Sequence, residues 1–407
     1  MKRRFNPHFI FFPLFLFGFI GLLSLVTLND FDFLDPLGKA INDFTLDDIV
    51  FSKIRKDTVQ GGNPTIIDER VVLINIGYLD RKSIAEEIEI VNKYNPKVVG
   101  LDVFFRSPKG EDQDSSLEIA LSKTHNLVMV TKLNNYNKTK DQFDTVETSY
   151  SGFMTVAKKG YGNLVTEGDD EEVTCRSFSP IRKVKNELEL AFAVRVVQMY
   201  DRGAAHQFSY RNNDEEFINY RRNIRGGTGG YYTFDYDDLK SGEGLDLLTD
   251  KIVIFGFLGN KLNPKDIEDK FYTPMNRQYV GRAFADMYGA VIHANIISMI
   301  LDKDYINPTP TWVSWVVAIV FCLFNTILFS YLLHNNNTWY GASTKLIQVI
   351  EILLIATFTV YALHFLRIKI DLTLTTIIVA LIGDLLEIYY SVIVRFFEKV
   401  NPWKSKI

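Results

Sequence analysis

Four stretches of this chain are too apolar, for too long, to be left in water, and they limit the fold before any motif is considered. Residues 8–28 are almost entirely apolar and long enough to cross about 30 Å of hydrocarbon. Three more runs, Thr311–Leu333, Leu346–Leu366 and Leu372–Val394, lie near the other end, and their only acidic residues are Glu351, Asp384 and Glu387. Ionisable groups at such depth are costly and face a bundle interior or a partner. Asp384 and Glu387 stand three apart and share one helical face. They suit either contact with a partner's polar group or bonding between helices of the same bundle. The first run follows Lys2, Arg3 and Arg4. Its apolar core exceeds the roughly 7–15 residues usual in a cleaved signal peptide, and no small-x-small site follows, so it reads as an uncleaved anchor. The expectation is four transmembrane helices, one N-terminal and three C-terminal, in the inner (cytoplasmic) membrane. Lys2, Arg3 and Arg4 then lie in the cytoplasm with the tail 395–407, and residues from about 30 to 310 lie outside. Arg367 and Lys369 fall in the short outer turn and count against this orientation, but they are few.

The part between the first two spans has the pattern of a globular domain. The formal net charge of −4, from 45 basic and 49 acidic residues, carries no nucleic-acid footprint. Cys175 in the globular part and Cys322 in a span cannot bridge, so an exported domain here rests on its apolar core rather than on disulfides. Residues 29–70 read as a connecting segment with one short helix, broken by GGNP at 61–64. Residues 71–77 read as a strand. A helix with Ile84, Ile88 and Val91 on one face follows, then a strand over 97–105, which makes a parallel βαβ unit. A further helical stretch, SSLEIALSKT, leads to a strand at 127–130. Residues 160–182 read as a hairpin with Gly-Asp-Asp at its tip and Arg176 on the return strand. Residues 187–203 read as an amphipathic helix with Gly203 at its C-cap position. FINYRRN and YYTFDYDDL are strand-like. Ile252 to Phe257 is a continuously apolar run, as strands covered on both faces are. A polar loop with Asp266, Asp269, Thr273 and Pro274 follows it, then a helix over Tyr288–Leu301 with His293, Ala294 and Asn295 at its centre. The fold class is α/β: a mixed, mainly parallel sheet with helices on its faces.

Three of these pieces, KIVIFG, DKFYTP and YGAVIHANIISMIL, resemble in this order the end of a CHASE-type extracellular sensory domain of the second type, CHASE2. The family places a strand, an Asp-x-x-x-Thr-Pro turn and a Gly-x-x-x-His-Ala-Asn helix directly before transmembrane helices. Asp269, Thr273, Pro274, His293 and Asn295 fill those positions here. Gly100, Leu101, Asp102 and Phe104–Phe105 fit the family's second strand, and Arg81 fits its helix-opening arginine. Gly160, Asn163, Asp169, Asp170 and Arg176 fit its hairpin. The resemblance covers most of residues 30–395, with 134–158 and 204–230 matching weakly. The first strand departs from the family, because Asn75, Ile76 and Gly77 stand where an Ile-Asp pair is usual. The resemblance implies a sensory domain and a homodimer.

Asp102 ends a buried strand, where α/β folds place ligands. It is either a functional carboxylate or one that caps a turn or pairs with Arg106 or Arg81. The same rule makes Asp102, Asp269 and His293 a candidate cluster. Asp269 also suits a turn in which its carboxylate accepts backbone N–H bonds while Pro274 fixes φ. His293 has no second His or Cys at ligand spacing, so no metal is expected. A buried, hydrogen-bonded imidazole is expected instead, one able to act as a proton switch. RGGTGG at 225–230 lacks the Lys-Ser/Thr ending and the preceding strand of a phosphate loop, and reads as a flexible turn. GDDEE at 168–172 reads as a solvated acidic tip rather than a cation site. No nucleophile–base pair stands at recognisable spacing, so neither an enzyme nor a cofactor is expected. The function expected is that of an integral membrane sensor subunit facing the periplasm. Its signal passes through the helices to a separate membrane or cytoplasmic signalling protein, since the tail RFFEKVNPWKSKI is too short for an output domain. The alternative is a non-signalling scaffold or assembly subunit of a cell-envelope complex. The Arg81, Asp102, Arg176, Asp269, Thr273, His293 and Asn295 side chains serve, on this reading, as a ligand-binding or structural signature.

Overall fold

The computed structural model describes residues 8–25, 45–54, 67–164, 174–225, 228–263, 266, 268–276, 285–335 and 337–396. They form two compact units, Asp48–Ile306 and a second made of Met1–Asp47 with Asn307–Ile407. The acidic tip at 168–172 and the GGNP break lie outside the described residues.

The first unit is built on nine strands. In chain order, β1 is Val71–Asn75, β2 Val98–Leu101, β3 Leu127–Asn137, β4 Gln142–Glu147, β5 Lys158–Tyr161, β6 Ile181–Val184, β7 Glu187–Leu190, β8 Tyr232–Phe234 and β9 Ile252–Gly256. Six of them, in the order β8-β1-β9-β2-β3-β5, run parallel. The long β3 continues past β2 and turns antiparallel to β4, and β6 and β7 extend that edge. β1, β2 and β9 are buried along their whole length, which is why VVLIN, VVGL and IVIFG are apolar without alternation.

Among the described residues the helices of this unit are α2 (Arg81–Asn92), α3 (Glu111–Ser122), α4 (Phe192–Tyr200), α5 (Arg202–Ser209), α6 (Tyr236–Ser241) and α7 (Gly289–Asp302), following α1 (His8–Leu25) of the other unit. Asp80 opens α2 by accepting the Ser83 N–H at 2.8 Å. Ile84, Ile88 and Val91 of α2 and Leu117 of α3 pack on Val72, Val99, Leu101, Val253 and Phe255 of the sheet. The opposite face is covered by α4 and α7. A Cβ on Gly100 of β2 would stand 2.9 Å from the Phe192 ring, and one on Gly256 of β9 would stand 2.6 Å from the Ala290 methyl. Bare backbone at these two places lets the helices seat directly on the sheet. The result is a three-layer α/β/α sandwich.

The structure corrects several readings of the sequence. β1-α2-β2 is a parallel βαβ unit as expected, but β9 lies between its two strands. The span 160–182 is not one hairpin: β5 pairs with β3, and Ser177–Phe178 pairs with Glu216–Phe217. Glu187–Leu190 is a strand rather than the start of a helix, because its Glu-Leu alternation fits the period of β structure. Gly203 does not cap α4; it lies inside α5, which Asp201 opens by accepting the Ala204 N–H at 3.0 Å. Of FINYRRN only Phe217 is in a strand, and YYTFDYDDL divides into β8 and α6. Ile224–Arg225 and Thr228–Gly229 form a small antiparallel ribbon, and residues 226–227 of the glycine-rich run lie outside the described residues.

In the second unit three helices are long and apolar enough to cross a membrane: Thr311–Asn335 (α8), Tyr340–Leu366, of which Tyr340–Tyr361 is α-helical (α9), and Thr373–Val394, of which Thr373–Ile388 is α-helical (α10). The N-terminal apolar helix, α1, is shorter and contains Pro13. Phe12 and Leu16 of α1 pack with Cys322 of α8 and Ile378, Ile382 and Leu386 of α10. Trp312, Leu353, Phe358 and Val392 point outward, as side chains facing lipid do.

Candidate ligand site at the carboxyl ends of the sheet

The sheet brings the candidate residues together because neighbouring parallel strands end at one edge. Asp102 follows β2 directly, and its N–H donates to the Phe255 carbonyl of β9 at 2.8 Å. Beyond β9 the chain runs out through the loop carrying Asp269 and returns as α7. Gly289 opens α7, with its N–H donating to the Asp269 carbonyl at 3.3 Å. A Cβ built on Gly289 would lie 3.7 Å from Asp102 Oδ2 and 3.8 Å from Asp269 Oδ2, so the two carboxyls face one point. His293 lies one turn into α7. Its Nε2 is 3.6 Å, and Asp102 Oδ1 is 3.9 Å, from where a Cβ on Gly162 would stand. The structure thus sets Asp102 beside both Asp269 and His293. Gly162, just past β5, completes the wall, and sequence reasoning had given it no role.

The electrostatics of the cluster follow from burial. Asp102 is partly buried, and its carboxyl is pushed up to about 7 by loss of water. Asp269 is raised to about 7, first by burial of its carboxyl and then by repulsion from Asp102 and Glu268. The residue as a whole is exposed at the rim, so water moderates this rise. His293 is 3 % exposed, and burial pulls it down to about 3, so it is neutral at physiological pH. Its ring meets Phe192 edge to face at 5.1 Å. The expected hydrogen bond of His293 is absent: Nδ1 is buried without a partner. The expected proton switch also moves, since an imidazole at about 3 does not titrate near neutrality and the two carboxyls do.

Neither alternative for Asp102 holds. Arg81 pairs with Asp114 and donates to the Ser107 carbonyl, its guanidinium 5.6 Å from the Phe105 ring and 5.4 Å from that of Phe153. Arg106 binds Glu147 at 2.6 Å. Both arginines are clamps away from the cluster. The turn role proposed for Asp269 belongs to Asp286, which accepts the Thr273 N–H at 2.8 Å and its hydroxyl at 2.6 Å. Burial raises Asp286 to about 7 despite these bonds. Arg176 reaches away, donating from Nε and an Nη to the two oxygens of Asp48 at 3.0 and 2.7 Å. Asn295 bridges backbone: it accepts the Arg221 and Arg222 N–H groups at 3.0 and 3.1 Å and donates to the Arg222 carbonyl at 2.8 Å. These are structural tasks.

Asn75, where the family has an acid, is fully buried. Its oxygen accepts the Gly77 and Leu258 N–H groups at 3.1 and 2.8 Å, and its amide nitrogen donates to the Gly259 carbonyl at 2.9 Å and to Asp235 at 3.2 Å. An ionised carboxylate could accept but not donate, so the amide here ties the ends of β1 and β9 together.

Among the described residues no three His, Cys, Asp or Glu side chains are placed to hold a metal ion. In the membrane unit Glu351 accepts from Asn325 Nδ2 at 2.9 Å, joining α9 to α8. Asp384 pairs with Lys345 of α9, while Glu387 on the same face is exposed.

The α/β domain, with a polar cluster at its strand ends, is followed along the chain by three helices long and apolar enough to cross a membrane. The chain belongs to the CHASE2 domain family, an extracellular sensory domain family whose model matches residues 19–330. No curated protein and no solved structure matches it.

Proposed function

We propose that this chain is a sensor subunit that detects an envelope or environmental signal through its α/β head and passes it to a separate protein through its membrane helices. The observation that carries this reading is the position of α7. It contributes His293 to the cluster, ends at Asp302, and is followed at Thr311 by the first long span. A shift of α7 on ligand binding is thus delivered to the bilayer by one short segment of chain. Such a shift needs a ligand with different affinity for two helix positions.

In this proposal α1 is the first of four crossings, with Lys2, Arg3 and Arg4 in the cytoplasm and the head outside the inner membrane. Lys369, one of the two cations of the outer turn, pairs with Asp47 at 3.3 Å, which reduces its weight against this orientation. On this proposal the head binds and performs no chemistry of its own. The test is crosslinking in intact cells, detergent extraction and identification of what travels with the chain. Recovery of a signalling enzyme is expected. Recovery of envelope-assembly proteins alone would replace the sensor with a scaffold.

A further inference from the structure

At the amino end of α7 Asp102 faces Asp269 at the Gly289 position and His293 Nε2 at the Gly162 position, and no described residue donates to them. Neither carboxyl, of Asp102 or of Asp269, receives a hydrogen bond or pairs with a cation among the described residues. His293 is 3 % exposed, held between Phe192 and the site, with no hydrogen bond of its own. The imidazole Nε2 faces Asp102 across the Gly162 position and, like the two carboxyls, has no hydrogen bond among the described residues, which leaves these groups open to a partner from outside the chain. The amino end of α7 supplies about half a positive charge, too little for two carboxylates. The arginines nearest in sequence to Asp102 are committed to Asp114 and Glu147.

A neutral imidazole and two carboxylates offer three acceptors to a cation that carries three donors. A primary ammonium carries one charge and three N–H groups in tetrahedral array. The walls are close and partly apolar: the Phe271 ring lies 3.3 Å from the Cβ position of Gly289, and a Val130 methyl lies 2.5 Å from that of Gly162. The Phe271 ring at the Gly289 position suits a small cation beside it. A calcium ion would want six or more oxygens, and among the described residues no three His, Cys, Asp or Glu side chains are placed to hold a metal ion. We propose that Asp102, Asp269 and His293 form a receptor site for the ammonium group of a small primary amine. The proposal rests on the sensor reading and names the chemical class of its stimulus.

The test uses the full chain in detergent and reads unfolding of the head by exposure of Cys175, which is buried. The protein carries Cys322→Ala, and a pyridyl disulfide reports the thiol. At ten times its Kd, ethylammonium should slow labelling about tenfold, because ligand binding to the folded state divides the open population by one plus the ratio of ligand to Kd. Tetramethylammonium, with the same charge and no N–H, and ethanol, with no charge, should leave the rate unchanged. Asp269→Asn at the exposed rim and Asp102→Asn should each remove the protection. Asp269 lies outside the core, so its variant keeps the test meaningful if Asp102→Asn fails to fold. The proposal is overturned if ethylammonium gives no protection, if tetramethylammonium protects equally, if calcium or magnesium protects instead, or if Asp269→Asn retains the effect. Partner capture in cells does not use the amine, so failure here leaves the sensor reading standing and failure there leaves this site standing.

Discussion

Glu87 offers the sharpest test of how this head is held together. It sits on α2 with no exposed surface, and neither carboxyl oxygen has a partner. Its neighbour Glu86 is the opposite case, accepting from Tyr236 and Lys240 of α6 at 2.7 Å each. Burial, with a smaller contribution from Asp235, pushes Glu87 from 4.5 up to about 9. The folded head therefore keeps a proton that the unfolded chain releases. A carboxyl raised in the folded state costs nothing below the unfolded value, and its cost grows as pH rises from 4.5 towards 9. At about 1.4 kcal/mol per unit, the cost is about 3 kcal/mol at pH 7. That is a large share of the roughly 5–15 kcal/mol that keeps a domain folded. Glu87→Gln keeps the shape and removes the titration. In urea titrations followed by Cys175 labelling, the variant should match the wild type near pH 4.5 and exceed its stability by about 3 kcal/mol at pH 7. A difference that does not change with pH, or a wild type that gains on the variant as pH rises, would show Glu87 to be ionised and paired, and would refute the argument.

Protection by ethylammonium should strengthen from pH 6 to pH 8, because Asp102 and Asp269, each near 7, must both shed protons to receive a cation; a flat profile in the same labelling assay would count against the pair. Gly256→Ala should lower the thermal midpoint of the head, at a cost of about 1–3 kcal/mol, because the new methyl would stand 2.6 Å from that of Ala290 in α7; an unchanged midpoint by circular dichroism would mean that the helix has room to move. Asn325→Leu, which strips Glu351 of its donor, should destabilise the spans by about 1 kcal/mol. All four tryptophans follow residue 311, so their fluorescence reads this unit separately from the head. A cysteine at Asn337 should resist a membrane-impermeant thiol reagent in intact cells while one at Asn137 reacts, and the reverse pattern would invert the orientation.

The main strands and the composition of the candidate site were legible because both depend on local signals. Continuously apolar runs mark β1, β2 and β9 whatever their partners, and the rule that ligands gather at strand ends joined Asp102, Asp269 and His293 before any coordinates. The order of the strands was not legible. β9 enters between β1 and β2, and nothing within IVIFG records its neighbours. Partner choice failed for a related reason. Asp269 has the spacing of a turn carboxylate, but Asp286 does that work from thirteen residues beyond Thr273 in the chain. Glu87 carried a readable signal that was passed over: with Ile84, Ile88 and Val91 it lies on the inward face of α2, where a charge is out of place. The Glu-Leu alternation at 187–190 also pointed to a strand, and the helix-like apolar run after it masked the change of period.

The late entry of β9 shapes how the head can come into being. The chain is synthesised amino end first, so Val71–Asn75 and Val98–Leu101 arrive long before Ile252–Gly256, the strand that separates them. Until then both early strands present bare hydrogen-bonding edges, the kind that invite mispairing with other chains. The slot fills only when almost the whole head has been made, shortly before the apolar segment at Thr311 follows. Biogenesis thus leaves a long interval in which the nascent sheet is open along its middle, and a holdase bound to the early strands would protect it there.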